Sequence, residues 1–147
     1  MAVKYQPDMF HTVTPFLVVK DAAGVMEFAK KVFNAEEIMR MAMPDGTVAH
    51  GEIKIGDSII MLGEAGGPYQ PLPAMLYVYV KDVDAVYKKA LEAGAESMQE
   101  PKDQFYGDRS GGVKDKAGIQ WYISTHIEDV SPEELKRRSD EMMKQGN

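Results

Sequence analysis

Apolar residues recur with two periods along this chain, and the alternation between them predicts its elements. His11 to Val19 reads as a strand, and Pro15 inside it points to an edge or a strand start because proline cannot donate to a ladder. Asp21 is placed to cap a helix. The next apolar residues, Val25, Phe28, Ala29, Val32 and Phe33, follow the i, i+3, i+4, i+7, i+8 spacing of one buried helical face. Asn34 suits the left-handed C-terminal cap. Period-2 segments then follow over Glu36 to Ala42, Thr47 to Ile55 and Ser58 to Leu62, joined at Pro44-Asp45-Gly46 and at the two-residue turn Gly56-Asp57. Gly63 to Pro73 is a Gly/Pro-rich connector.

The same order returns beyond the connector. Met75 to Val80 reads as a strand, Asp82 or Asp84 caps a second helix carrying Val83, Val86, Tyr87, Ala90 and Leu91 at helical spacing, and Gly94 ends it. Glu96 to Glu100 is a short strand before Pro101. Phe105 to Ser124 opens as a loop, FYGDRSGG, and continues as a hairpin through Val113-Lys114, the turn Asp115 to Gly118 and the strand Ile119 to Ser124. Trp121 in that strand is read as core. Val-Lys-Asp stands before each helix, at 19–21 and again at 80–82, and Ala-Glu after each, at 35–36 and 95–96. The chain is therefore read as two βαβββ modules, over 9–66 and 74–126, within one domain spanning 1–147. Neither half could bury its own face. The fold class is α+β, with paired curved mixed sheets around a cleft. Ser131-Pro132-Glu133-Glu134 starts a final helix or tail over 131–147, whose apolar residues are only Leu135, Met142 and Met143. It is read as a solvated tail or as a clasp on a partner subunit.

Composition narrows the chemistry. Cysteine is absent, which removes disulfides, thiolate metal sites and a Cys nucleophile. A net charge of −6 argues against a nucleic-acid surface. No run of about 18 apolar residues suggests a span, and the first residues lack the apolar core of a signal peptide, so a cytoplasmic protein with no membrane contact is expected. The eleven methionines suit either core filling or an adaptable apolar pocket. No nucleophile, base and orienting group stand out together, so no catalytic residue is assigned.

The paired modules resemble the vicinal oxygen chelate superfamily, which includes glyoxalase I, extradiol dioxygenases and the fosfomycin and bleomycin resistance proteins. The resemblance covers roughly residues 9 to 126 and is nearest to the PhnB-like branch. It is carried by Thr14-Pro15-Phe16-Leu17-Val18-Val19, by Ile55-Gly56-Asp57-Ser58 and by the string from Phe105-Tyr106-Gly107-Asp108-Arg109 to Trp121. Metal-dependent members hold a divalent ion with His or Glu from four strands. Carried over, those positions fall on Thr14, Met61, Met75 and Tyr122, none of them a good ligand for such an ion. The resemblance thus implies a member without the metal site, with no cofactor expected. It would bind a small, aromatic or cationic molecule in the cleft between the modules, by sequestration, and would form a homodimer as the family commonly does. Thr14, Met61, Met75, Tyr77, Tyr106, Arg109 and Tyr122 would line that cleft. Arg109 is open to two uses, a clamp on a ligand carboxylate or phosphate, or an ion pair with Asp108 or Asp103. The alternative is a metal-dependent lyase or dioxygenase with non-standard ligands drawn from His50, Glu52 and His126. A third reading is an interaction module whose cleft is vestigial.

Overall fold

The computed structural model describes residues 2–146. Met1 and Asn147, the ends of the expected domain and tail, lie outside the described residues. The elements run β1 (Phe16–Val19), α1 (Ala22–Phe33), β2 (Glu36–Ala42), β3 (Val48–Ile55) and β4 (Ser58–Glu64). After the connector come β5 (Met75–Tyr79), α2 (Val83–Glu92), β6 (Glu96–Asp103), β7 (Asp108–Lys114), β8 (Gln120–His126) and α3 (Pro132–Gly146). Each half makes a four-stranded mixed sheet of identical topology, β1-β4-β3-β2 and β5-β8-β7-β6, with one parallel pair, β1–β4 or β5–β8. The α+β class and the repeat predicted from the sequence are the observed ones.

The helix caps follow the sequence closely. Asp21 accepts the Gly24 amide at the start of α1, Asn34 adopts the left-handed conformation at its end, and of the two acids offered for α2 it is Asp82 that accepts from Ala85. The Glu64 carboxylate adds two further acceptors for α1, taking the Asp21 and Ala22 amides at 2.7 and 3.0 Å. This ties the last residue of β4 to the first turn of the helix that precedes it in the module.

Three strands differ from expectation. The first, expected from His11, begins only at Phe16, so Pro15 precedes the strand and is not inside it. The Ser110-Gly111-Gly112 run, read as loop, is the interior of β7. The second glycine serves close approach there and not a turn: a Cβ on Gly112 would lie 2.9 Å from the Tyr122 ring, which lies over it. β6 continues through Pro101 to Asp103. Proline is tolerated because β6 is the sheet edge and its register slips between Gln99 and Lys102, so no ladder amide is needed at that point.

One core joins the halves. Leu17, Val19, Ile53, Ile60 and Leu62 from the first sheet and Val113, Trp121 and Ile123 from the second share it with the buried faces of α1 and α2. α1 packs on α2, and Phe28 and Phe33 of α1 reach Trp121 of β8 with ring centroids 6.0 and 5.1 Å apart. Trp121 is fully buried, and its Nε1–H donates to Asp115 at 2.8 Å. The inner face of each sheet is thereby consumed. The other face of each is left open, and the strand alternation sends every second side chain onto it.

α3 stands apart from this core. Its first turn is capped by Ser131, whose hydroxyl accepts the Glu134 amide, and none of its residues is buried. Its tie to the body is Arg138, which donates to the Phe105 carbonyl at 3.0 Å and to both oxygens of Glu128. No helix among the described residues is long and apolar enough to cross a membrane.

Candidate functional site

The open face of the second sheet is built from β5, β8 and β7. Met75, Tyr77 and Tyr79 alternate onto it along β5 and pair in register with Gln120, Tyr122 and Ser124 of β8. Ser124 and His126 in turn pair with Ser110 and Asp108 of β7. Asp108 is the centre of this surface. It is buried, and its Oδ2 accepts both the Tyr77 hydroxyl at 2.8 Å and the Tyr79 hydroxyl at 2.9 Å. Tyr77 also donates toward the Ser124 hydroxyl at 3.0 Å, and the Tyr77 and Tyr79 rings meet edge to face with centroids 5.4 Å apart. The other carboxylate oxygen, Oδ1, lies 2.8 Å from His126 Nδ1, and His126 Nε2 lies 2.7 Å from Asp129.

These contacts set the charges. Burial pushes the Asp108 carboxyl up, but the hydrogen bonds from His126, Tyr77 and Tyr79 outweigh it and hold the group below the usual carboxylate range. The bonds to Asp108 and then Asp129 raise His126 above the usual imidazole range. Burial first of all raises the Tyr77 phenol, and the bond to Asp108 raises that of Tyr79, so both hydroxyls stay protonated and donate. The face therefore presents aromatic edges over a fixed negative charge.

The open face of the first sheet differs in chemistry. One row across it reads Phe16, Met61, Glu52 and Met39, and the next pairs His50 with Met41. Glu52 is buried, and its Oε2 lies 2.9 Å from His50 Nε2. The Phe16 and His50 rings stack at 5.7 Å. Beside them, Tyr5, Gln6, Pro7, Phe10 and His11 of the N-terminal segment form with Thr14 and Met61 a pocket of about 300 Å³.

The sequence-assigned residues thus divide between two faces. Thr14 and Met61 lie on the first; Met75, Tyr77 and Tyr122 lie on the second, as alternation required. Tyr106, part-exposed, sits in the loop before Asp108 and packs edge to face against Phe105 at 5.3 Å. Where the modules abut, β5, the end of β3 and the start of β4 leave a cavity of about 270 Å³ lined by Ile55, Ser58, Ile60, Leu76, Val78 and Tyr77 among others. Of the assigned residues only Tyr77 reaches it. Arg109 is turned to the inner side of β7. Its guanidinium makes two bonds of 2.9 Å to Asp84 at the start of α2 and one of 3.1 Å to Asp103, the second of the two uses open to it, with Asp84 in place of Asp108. Asp108 itself went unassigned. Had Ser-Gly-Gly been taken as strand, period 2 would have carried Asp108 and Ser110 onto the face of Tyr122 and His126.

Thr14, Met61, Met75 and Tyr122, the positions that the resemblance would put in place of the metal ligands, offer a hydroxyl, two thioethers and a phenol. This set does not fit a divalent ion, which needs carboxylate or imidazole donors. The alternative ligands are not gathered either: His50 and Glu52 share the first face, whereas His126 is held by Asp108 and Asp129 on the second. Among the described residues no three His, Cys, Asp or Glu are grouped to hold an ion.

The chain belongs to the Glyoxalase/Bleomycin resistance protein/Dioxygenase superfamily, whose model matches residues 9–123. It is 33% identical to the protein Rv0887c of Mycobacterium tuberculosis, over 92% of this chain and 84% of that one. Among solved structures it is similar to TioX from Micromonospora sp. ML1, with a TM-score of 0.68 and 25% identity over 80% of this chain and 99% of TioX. A PhnB protein from Bacillus cereus superposes with a TM-score of 0.64 at 21% identity, covering 78% of this chain and 99% of that one, which speaks for the fold alone.

Proposed function

We propose that this protein binds a small aromatic or cationic molecule on the open face of the second sheet and acts by sequestering it, without a divalent metal. One observation carries the reading. Asp108 is a buried carboxylate whose bonding partners on the cleft side are two tyrosine hydroxyls, with Tyr122 and Met75 on the same face. Tyrosine rings around a negative charge attract cations through both the ring faces and the charge, and they stack on flat ligands.

A second copy of the chain would close the site. Both open faces expose large apolar side chains: Phe16 is 50% exposed, and Met75 and Tyr79 are each 62% exposed. Within one chain the helices stand between the two inner faces, so Thr14 and Met61 cannot cover Tyr77 and Tyr122. Pairing the first face of one copy with the second face of another would unite Thr14, Met61, Met75, Tyr77 and Tyr122, while Arg109 stays outside, its charge spent on Asp84 and Asp103.

The reading is tested by fluorescence titration with a planar cationic dye, ethidium, against a planar anionic one, anilinonaphthalene sulfonate. Ethidium should bind, and the pair Asp108→Asn and Tyr79→Phe should each weaken it. Equal or tighter binding of the anionic dye would remove the role given to Asp108.

A further inference from the structure

The first sheet's open face has a donor set of its own, of which the proposed ligand site would use only Met61. Three thioethers and one imidazole stand on adjacent strands of it. Met61 of β4 and Met39 of β2 flank Glu52 of β3 on either side in register, and Met41 stands directly opposite His50. Leu62 pairs with Gly51, so β4 brings Gly63, without a side chain, beside His50; the Phe16 ring leans into that gap and meets the imidazole. Directly opposed residues on a sheet face are about 5 Å apart and diagonal ones about 7–8 Å, so Met41 stands at the shorter distance from His50, and Met39 and Met61 at the longer. Methionine, with three rotatable bonds, can bring its sulfur across such a distance.

We propose that this face is a binding site for a soft monovalent ion, copper(I) or silver(I), held by the thioethers of Met61, Met39 and Met41 and the imidazole of His50. Ligand softness selects the ion. Thioethers and imidazole suit copper(I), whereas the hard divalent ions find no oxygen cage here. Charge agrees. Glu52 is the one acid of this group, is buried, and supplies a single negative charge beside the donors, which matches an ion of +1 and would leave one of +2 half compensated. Orientation agrees as well. Glu52 takes the His50 Nε2 hydrogen at 2.9 Å, which fixes the tautomer and leaves the Nδ1 lone pair to coordinate. Glu52 is thus a positioning residue and not a ligand. All four donors come from one sheet of one chain, so the ion site needs neither the second sheet nor a partner copy; Met61 is the residue it shares with the small-molecule reading.

The test uses the full chain with ¹³C-methyl methionine, titrated with silver(I) and, without oxygen, with copper(I) against the chelator bicinchoninate. The expected result is saturation at about one ion per chain, with the methyl signals of Met39, Met41 and Met61 and the His50 ring moving together. Met98, Met142 and Met143, which are exposed on other elements, serve as internal controls and should stay in place. The variant Met39→Leu/Met41→Leu/Met61→Leu keeps side-chain volume and should lose the ion. Glu52→Gln should keep the stoichiometry and weaken affinity by about 10–100-fold, as loss of a supporting partner does. Equal movement of the control methionines would overturn the proposal, as would a triple variant that binds like the parent, or zinc(II) displacing silver(I) at equal concentration. The methyl shifts of the parent decide the matter even if the triple variant fails to fold.

Discussion

Asp108 and His126 begin β7 and end β8, and they face each other across the open surface with 2.8 Å between carboxylate oxygen and ring nitrogen. Each favours the charged form of the other. His126, raised above its ordinary value of 6.5, should titrate above that value in an NMR experiment, and Asp108→Asn should bring it down. The linkage has a definite sign. A raised folded-state value means the pair's contribution to stability is complete below about 6.5 and is lost as pH rises through the folded value. Unfolding midpoints of His126→Gln and of the parent should therefore converge at alkaline pH and separate below neutrality.

Asp115 carries more of the fold than an exposed turn would suggest. It accepts the Ala117 and Ile119 amides, both at 2.9 Å, and the Trp121 indole at 2.8 Å. Asp115→Ala leaves these donors without partners, at a cost of about 1–3 kcal/mol for a buried group. Urea unfolding should show a midpoint shift of that size with an unchanged slope.

Gly107 holds the loop that delivers Tyr106 and Asp108. Its φ is +102°, and a Cβ there would fall 2.2 Å from the Glu128 carbonyl oxygen, whose segment donates the Ile127 and Glu128 amides to the Gly107 carbonyl. Gly107→Ala must strain the backbone and push this strand end apart, a loss of roughly 1–3 kcal/mol. Because the displaced segment neighbours His126, ethidium binding should weaken in the same variant.

α3 should matter more to the assembly than to the chain. Among the described residues, removing 131–147 takes away no buried side chain. Thermal unfolding of the monomer should hardly change, while sedimentation should show the proposed dimer weakened. An unchanged sedimentation profile would sink the clasp. Arg138→Gln, which frees α3 from Phe105 and Glu128, should act in the same direction.

The sequence made the architecture legible because it is written twice. Val-Lys-Asp and Ala-Glu bracket each helix, and the apolar spacing of Val25, Phe28, Val32 and Phe33 has no other use than a buried face. The polar centre was less legible for a local reason. Ser-Gly-Gly carries turn chemistry, so the strand that aligns Asp108 with His126 was taken for a loop, and a carboxylate at a loop edge draws no notice. Arg109 was ambiguous for the opposite reason. Its partner, Asp84, lies on the first turn of a helix 25 residues away, and which face of a strand a residue takes depends on where the strand begins.

The seating of Trp121 on Phe28 and Phe33 bears on chain continuity. The backbone passes between the halves once, through the exposed connector around residues 65–74, whereas the aromatic contact joins them through buried surface. A protease cut in that connector would therefore leave the two pieces bound as a nicked but intact molecule. Two separately expressed halves, each with an uncovered helix, would find their stable form only in one another's company.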